Sequence, residues 1–473
     1  MGLSTLIDRS TYLVTSDRIS LSKMTADPWP SNFNIDLEQF AVICQNHVDT
    51  PYFETFEWLR EFKTNTARNE VRELIDYWHK NNHFLFSNAS QKWLPDVTGY
   101  RIWNWIATFD FYGTSANDAF KKNIQKSLYE QFRYLQKKWS HLENPLVKFR
   151  ALKGLFAYYF VSNRKMGFLL KELENLLDIL FFEDGGHKSR NSGLQLLFLR
   201  DLIDIRSVLS TSPDLDISAL HKKISQVASI IRLFRHSSGT IARFDGEIKD
   251  PEKFFIPDHF SSEFVDMCLS LSDAGRRPPL NAEMMGYMRF TTKSGVCLLC
   301  TKQSVGQDSC LNLLNFEWSF DRTLLIKRCE IFVQNENEQF HHANLDPLVQ
   351  RTTNDAFHFI NAEYKDEALE YHRQMHIENE VPSIKTEETI TFNKPGIVAL
   401  RFVLGACVEA VPVSKSSKNI FLKVIGPRKK MVTFNFVVNG CQEMFFHEGA
   451  IVLMASIEAE KSIHIKWQIS ASS

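Results

Sequence analysis

SDAGRRPPLNAEMMGY, Ser272 to Tyr287, is the stretch at which this chain changes its hydrophobic period. Pro278 and Pro279 lack a donor N–H, and each bars helical backbone in the residue before it. With Arg276 and Arg277 they make a polar break of the kind found at domain junctions. Upstream, apolar residues recur every three or four positions, the spacing of one helix face. FLLKELENLLDILFF places Leu169, Leu170, Leu173, Leu176, Leu177 and Leu180 in this way. The same spacing holds for Val71, Leu74, Ile75 and Trp78, for Phe120 through Leu135, and for Leu220 through Ile231. Short breaks carrying Pro95, Gly113, Asn144-Pro145, Gly185-Gly186 and Pro213 separate these runs.

Downstream the pattern becomes that of strands, rich in β-branched and aromatic residues. The runs are VCLLCTK, NLLNFEWSF, TLLIKRCEIFV, VALRFVLGACVEAVPV, NIFLKVIG, KMVTFNFVV, AIVLMAS and SIHIKWQI, with turns at Gly426-Pro427 and Asn439-Gly440. Helices first and strands second predict two layers or domains rather than an interleaved α/β sheet. The expectation is an α+β chain. Residues 1–280 would form helical hairpins stacked around an axis, and residues 285–473 an antiparallel sandwich.

Composition narrows the function. Of 473 residues, Lys+Arg number 55 and Asp+Glu 56, so no global field draws the chain to nucleic acid or an anionic membrane. No apolar run reaches the length of a membrane span. The first residues, MGLSTLIDRSTYLVTSDRIS, lack the apolar core of a secretory signal, which gives the expectation of a protein not exported by the usual route. The eight cysteines are scattered, so reduced buried thiols are expected. Cys297 and Cys300 form CLLC inside a strand-like run with no second pair at zinc spacing, so no metal site and no cofactor is expected.

The segment FFEDGGHKSRNSGLQLLFLRDLIDIRSVL, Phe181 to Leu209, carries the chemistry. A helix runs into Asp184-Gly185-Gly186-His187, a short turn presents Lys188, Ser189, Arg190 and Asn191, and an apolar helix resumes. This stretch resembles the "DGGH-x-SRNP … LLLDLLPLR" signature of the heparinase II/III-like family, polysaccharide lyases of α/α-toroid plus β-sandwich type. Other segments follow in the family's order. LPDVTGYRIWNWI (Leu94 to Ile106) is similar to its aromatic–Arg–Asn-Trp helix, and KFRALKGLFAYYFV (Lys148 to Val161) to the next one. IIRLFRHSSGTIARFDG (Ile230 to Gly246) resembles "RFFRHGDGALA-x-FNG", and EYHRQMHIENE resembles "HRR-x-L-x-L". The resemblance implies an incomplete α/α toroid followed by an antiparallel β-sandwich. It also implies β-elimination on a uronic-acid-containing polysaccharide and a place in the cell envelope. A non-catalytic acidic-glycan-binding or scaffold protein on the same fold is the alternative. The oligomeric state is left open.

The departures concern the catalytic set. Where the family has "AHST", this chain has Ala356, with His358 two residues on. The family's following "HDGY" segment has no counterpart between Asn361 and Glu370. Its "GNH" segment aligns poorly with Glu143-Asn144-Pro145, and its tyrosine after "DGxH" falls near Leu194.

A uronate lyase removes the C5 proton beside a carboxylate and expels the 4-O substituent, so the carboxylate must be neutralised while the enolate develops. On this basis the resemblance assigns catalysis to His187 and His358, with substrate held by Tyr100, Arg101, Asn104, Arg190, Asn191, Arg235 and His236. Each has a plainer reading. The DGGH glycines can end a helix, with Asp184 capping the next turn. Tyr100 can pack while Asn104 bonds a neighbouring helix end. Arg235-His236 can cap a helix C-terminus. His341-His342 reads as an exposed loop. His372 and His376 read as one strand face without a third ligand. Trp103, Trp105 and Trp318 read as core.

Overall fold

The structure is a computed structural model. It describes residues 19–24, 27–30, 51–62, 67–82, 91–244, 261–293, 295–302, 314–335, 338–339, 346–367, 369–412, 419–425 and 431–471. Cys44, Cys310, His341-His342, Gly426-Pro427 and the opening segment through residue 18 lie outside these.

The described residues pack as two compact units. In the first, helices form where the apolar spacing predicts them: α1 (Arg68–Asn81), α2 (Pro95–Ala107), α3 (Asp118–Lys138), α4 (Pro145–Val161) and α5 (Gly167–Leu180). The starts are chemically marked. Pro95 and Pro145 stand in the first turn, and Asn117 and Asn144 accept hydrogen bonds from the first-turn N–H groups of α3 and α4. Helix α3 buries one stripe, Phe120, Ile124, Leu128, Phe132 and Leu135. Helix α2 is buried from Asp96 to Ala107 and α4 nearly so from Phe149 on, as fits helices enclosed on every side. Two glycines let α2 and α4 touch. A Cβ on Gly99 would lie 2.7 Å from Cα of Ala151, and one on Gly154 would lie 2.6 Å from Cα of Gly99.

Three further helices follow: α6 (Ser192–Leu209), α7 (Ser218–Phe234) and α8 (Ser262–Leu271). The split into units runs through α6 and α7. Leu197–Ser225 packs with the preceding helices, whereas Phe182–Leu196 and Gln226–Glu247 pack in the second unit with everything from Ala274 on.

The strands begin ten residues after α8: β1 (Asn281–Ala282), β2 (Tyr287–Thr291), β3 (Gly295–Cys300), β4 (Phe316–Phe320), β5 (Thr323–Asn335), β6 (Glu338–Gln339), β7 (Leu348–Thr353), β8 (Phe357–Lys365), β9 (Leu369–Glu378), β10 (Ser383–Phe392), β11 (Gly396–Leu404), β12 (Val408–Pro412), β13 (Asn419–Ile425), β14 (Met431–Asn439), β15 (Glu443–His447), β16 (Ala450–Ile457) and β17 (Ser462–Ala471). They form two sheets. One runs β1-β2-β3-β4-β5-β11-β16-β15 with β6 on β5, and the other β12-β13-β14-β17-β10-β9-β8-β7. Every pairing among the described strands is antiparallel. One continuous core joins the inner faces, with Phe316, Trp318, Ile331, Tyr371, Leu400, Phe436 and Trp467 among its members.

Two local readings change. VALRFVLGACVEAVPV is two strands rather than one run: β11 lies in the first sheet and β12 in the second. Gly405 makes the break, because any side chain there would strike the Leu324 carbonyl. The turn at Asn439-Gly440 likewise joins strands of different sheets, β14 and β15, with Gly440 at φ +88°.

Candidate functional site

The His187 turn belongs to the second unit. Gly185 takes φ +89°, and a Cβ on it would meet Cβ of Gln226 at 2.7 Å, so only glycine fits. Asp184 ties the turn to the strand-bearing chain: its carboxylate accepts from the N–H groups of Gly186 (2.9 Å), Met284 (3.0 Å) and Met285 (3.3 Å). Gln195, fully buried in the first turns of α6, clamps the other side. It accepts from the His187 N–H (2.6 Å) and donates to the carbonyls of Gly185 (2.8 Å) and Val227 (3.2 Å). Sequence reasoning missed Asp184's reach to Met284 and the role of Gln195. A lone glutamine amid the leucines of α6 was the available signal.

The His187 ring is buried, and its tautomer follows from its neighbours. The backbone N–H of Ser189 points at Nδ1 at 3.1 Å and the Ser189 hydroxyl lies 2.6 Å from the same atom. An N–H only donates, so Nδ1 accepts and the neutral ring carries its proton on Nε2. Arg190 sits at φ +57°, rare for a non-glycine residue. It is held by its N–H on the His187 carbonyl (2.9 Å) and by the Tyr287 hydroxyl on its own carbonyl (2.8 Å). Asn191 caps α6, its side-chain oxygen accepting from the Leu194 N–H at 3.0 Å.

His358, also in the second unit, shares the buried face of β8 with Ile360, Ala362 and Tyr364. Its Nε2 lies 3.3 Å from the Thr291 carbonyl, which only accepts, so Nε2 holds the proton and Nδ1 faces the Thr353 hydroxyl at 3.1 Å. Burial lowers its pKa below the ordinary 6.5, and the charge of Arg351 adds to this while the Thr291 bond opposes it. A neutral imidazole with an accepting Nδ1 is the form a general base needs.

The structure places the remaining sequence-selected residues in structural bonds. His236 spans Glu317 (2.9 Å) and Ser319 (3.0 Å) on β4, with both the imidazole and the carboxylate enclosed. It therefore fastens the turn after α7 to the sheet instead of capping the helix. Arg235 gives its carbonyl to Arg289 at 2.6 Å. Arg101, chosen as a substrate ligand, is a core residue of the first unit. It donates to Gln131 (2.8 Å) and to the carbonyls of Glu54 and Lys92 (2.9 Å each), and it lies over the rings of Trp78 and Trp93. Asn104 donates to the Thr55 carbonyl at 2.9 Å.

Tyr100 leads into a buried ionic network that sequence reasoning did not identify. Its hydroxyl bonds Asp201 at 2.5 Å, and Lys153 bridges Asp201 and Asp204 at 2.6 Å each. Arg200 pairs Asp201 (2.9 Å) and Glu57, Arg60 pairs Glu57 (2.8 Å) and Asp27 (3.2 Å), and Trp29 donates to Asp204 (2.8 Å). Burial alone would raise the Asp201 carboxyl, but Lys153 and Arg200 reverse this and hold it at about 2. The available signal was lone charges inside apolar helices: Lys153 in α4, and Arg200, Asp201 and Asp204 in α6. Elsewhere, Cys297 and Cys329 are buried thiols whose pKa values burial pushes up. Among the described residues no group of three or more His, Cys, Asp or Glu side chains is placed to hold a metal, and no helix is long and apolar enough to cross a membrane.

Polysaccharide lyases are among the solved structures that this chain resembles. Heparinase III superposes with a TM-score of 0.65 at 12% identity, covering 97% of this chain and 87% of that one. A heparan sulfate lyase mutant from Pedobacter heparinus gives 0.58 at 11%, covering 99% and 88%. The chain thus has the heparinase-like polysaccharide-lyase fold, an incomplete α/α toroid followed by an antiparallel β-sandwich. In sequence it is similar to FtsZ-localized protein C of Caulobacter vibrioides, 24% identical over 325 residues. That match takes in 66% of this chain and 53% of the relative, so the chain spans about half the length of the curated relative it matches. No family model matches the chain.

Proposed function

We propose that this protein acts on an acidic, uronate-containing polysaccharide by β-elimination. The observation that carries the reading is the built His187 turn on a lyase fold: a buried imidazole with its tautomer fixed, followed at once by Arg190 and Asn191. In this reading the His187 turn presents Arg190, which neutralises the uronate carboxylate. His358 takes the C5 proton on Nδ1, the C5–H electrons form the C4–C5 double bond, and the C4–O bond breaks, its oxygen taking up a proton from water. Lyases of this fold are named for heparin and heparan sulfate, which supports glycosaminoglycan-like polymers as the first substrates to try.

The test is incubation of the purified protein with heparin, heparan sulfate, chondroitin and alginate while following the ultraviolet absorbance of the unsaturated product. Turnover reduced about 10²–10⁴-fold by His358→Ala is expected if that ring is the base. Binding without product would leave an acidic-glycan-binding protein on the same scaffold. The Caulobacter relative, named for localisation with FtsZ, supports a further reading in which this chain serves at the division site. A fluorescent fusion spread evenly through dividing cells would count against it.

A further inference from the structure

We propose that β15 pairs edge to edge with β15 of a second copy of this chain, antiparallel about Phe445, so that two sandwiches share one continuous sheet in a weak dimer. The proposal is independent of the substrate and of the elimination reading.

Strand β15, Glu443-Met444-Phe445-Phe446-His447, is the last strand of its sheet among the described residues, with β16 on its inner side. Its outer edge has a fixed hydrogen-bond parity. The turn Glu448-Gly449 joins it to β16, and both residues have positive φ, +47° and +70°, the geometry of a tight hairpin. The Gly449 carbonyl accepts from the Leu404 N–H at 3.1 Å and so fastens this turn to β11. In such a hairpin the residues flanking the turn, His447 and Ala450, exchange backbone bonds, and the pattern alternates from there. Glu443, Phe445 and His447 therefore direct their N–H and C=O groups at β16. Met444 and Phe446 direct theirs outward, and among the described residues these groups have no partner.

Proteins guard strand edges with short strands, prolines or charges. Here β1 has two residues, β12 ends in Pro412 and β7 carries Arg351. Strand β15 instead presents two rings, Phe445 at 39% exposure and Phe446 at 41%. Its charged ends are complementary to the same strand reversed. An antiparallel copy aligned with Met444 opposite Phe446 uses every outward N–H and C=O of both strands. That alignment sets Phe445 against Phe445 on the two-fold axis and Glu443 against His447 at each end. Met444 then meets the Phe446 ring, a favourable thioether–aromatic contact. All these cross-strand pairs are of stabilising kinds. Glu443 and His447 are exposed, and at 3.8 Å the His447 ring is not hydrogen-bonded to its neighbour Glu448. A parallel copy would set Glu443 on Glu443, and a shift by two residues would set Phe445 against Glu443 or His447. The charge pattern thus selects a second copy in one register, and a two-fold pairing closes at the dimer.

The test is sedimentation velocity of the full chain from micromolar to near-millimolar concentration. A monomer–dimer equilibrium is expected, weak because a strand pair of this length is a small interface. Phe445→Lys sets like charges face to face on the axis, and Phe446→Pro removes an outward donor where an edge strand tolerates proline. Each is expected to weaken dimerisation by about tenfold or more. Thermal melting identifies a variant that fails to fold, and Phe445→Lys at the exposed ring then carries the test. Glu443→Lys is expected to weaken the dimer, and Glu443→Lys combined with His447→Glu to restore it. Phe445→Cys, lying on the axis, is expected to give a disulfide-linked dimer on oxidation, beyond any formed by the wild type through its exposed Cys407. A monomer at every concentration overturns the proposal. Protection of the Met444 and Phe446 amides from hydrogen exchange in that monomer would assign the edge to another segment of this chain. A dimer indifferent to Phe445→Lys and Phe446→Pro overturns it as well, since the copies then meet elsewhere. Failure of the double variant to regain the dimer that Glu443→Lys loses overturns the register.

Discussion

Lys153 shows how much one side chain can hold in this protein. It is enclosed in α4 and reaches both Asp201 and Asp204 on α6, while Tyr100 and Arg200 complete the shell around Asp201. A buried pair of this kind is no large gain over an apolar core, but removing one partner strands the others. Lys153→Met should therefore cost about 3–5 kcal/mol, read from denaturant unfolding. The pH dependence has a definite sign. Asp201 is held at about 2, below its ordinary 3.8, so its contribution is complete above 3.8 and is lost as pH falls toward 2. Stability between those values should drop more steeply in the wild type than in Lys153→Met. His358 makes the second residue-scale prediction. Its lowered pKa keeps it neutral as a base, so the acid limb of any elimination rate should have its midpoint below 6.5. A midpoint above 6.5 would count against His358 as the base. His187 and His358 stood out in the sequence only because the resemblance singled them out. The sequence did not reveal the Lys153 network, because its members come from segments far apart in the chain and only folding assembles them. Arg101 shows the reverse case: a cation in an aromatic helix looked ligand-ready and is instead bonded to backbone carbonyls in the core.

At the scale of elements, the helices were legible because a single stripe of leucines or phenylalanines announces a face, as in α3 and α5. The sandwich strands were legible where both faces are apolar or aromatic. Strand β10, SIKTEETITF, is not among the strand-like runs picked out from the sequence, because Lys, Thr and Glu fill much of it. It is central in its sheet, between β17 and β9. Its inward Glu388 is buried against Arg373 (2.9 Å), the Tyr371 hydroxyl (2.8 Å) and the Trp467 ring N–H (2.9 Å). A paired carboxylate thus stands at an inward position, and simple alternation of apolar and polar residues does not reveal it. The close packing of α2 on α4 depends on the two facing glycines. Gly154→Ala would place a methyl 2.6 Å from Cα of Gly99, which is backbone and has no rotamer by which to yield. The expected loss is about 1–3 kcal/mol, with a lowered melting temperature. An alanine variant as stable as the wild type would mean that the helices part at little cost.

At the scale of the whole molecule, the change of period at Pro278-Pro279 marks where helices give way to strands, but the compact units do not divide there. The second unit takes in Phe182–Leu196 and Gln226–Glu247 from the helical half. These segments supply partners that its strands require. His236 satisfies Glu317 and Ser319, the Arg243 N–H donates to Glu317 at 2.6 Å, and Asn315 donates to the Phe244 carbonyl at 3.2 Å. Arg289, whose pKa burial lowers to about 10, donates to the carbonyls of Leu233 and Arg235. A fragment starting at Ala274 keeps every strand and loses all of these at once. Glu317 would then lack His236 and the Arg243 N–H, and Arg289 the carbonyls of Leu233 and Arg235, and an unsatisfied buried polar group costs about 1–3 kcal/mol, more when charged. Several such losses compare with the whole stability of a domain, about 5–15 kcal/mol. The fragment 274–473 should therefore be insoluble or unfolded by circular dichroism and proteolysis. A fragment that begins at Phe182, and so restores the His236 and Phe244 turns along with the His187 turn, should recover strand content and resistance to protease. Equal behaviour of the two fragments would show that the strands need nothing from the helical half.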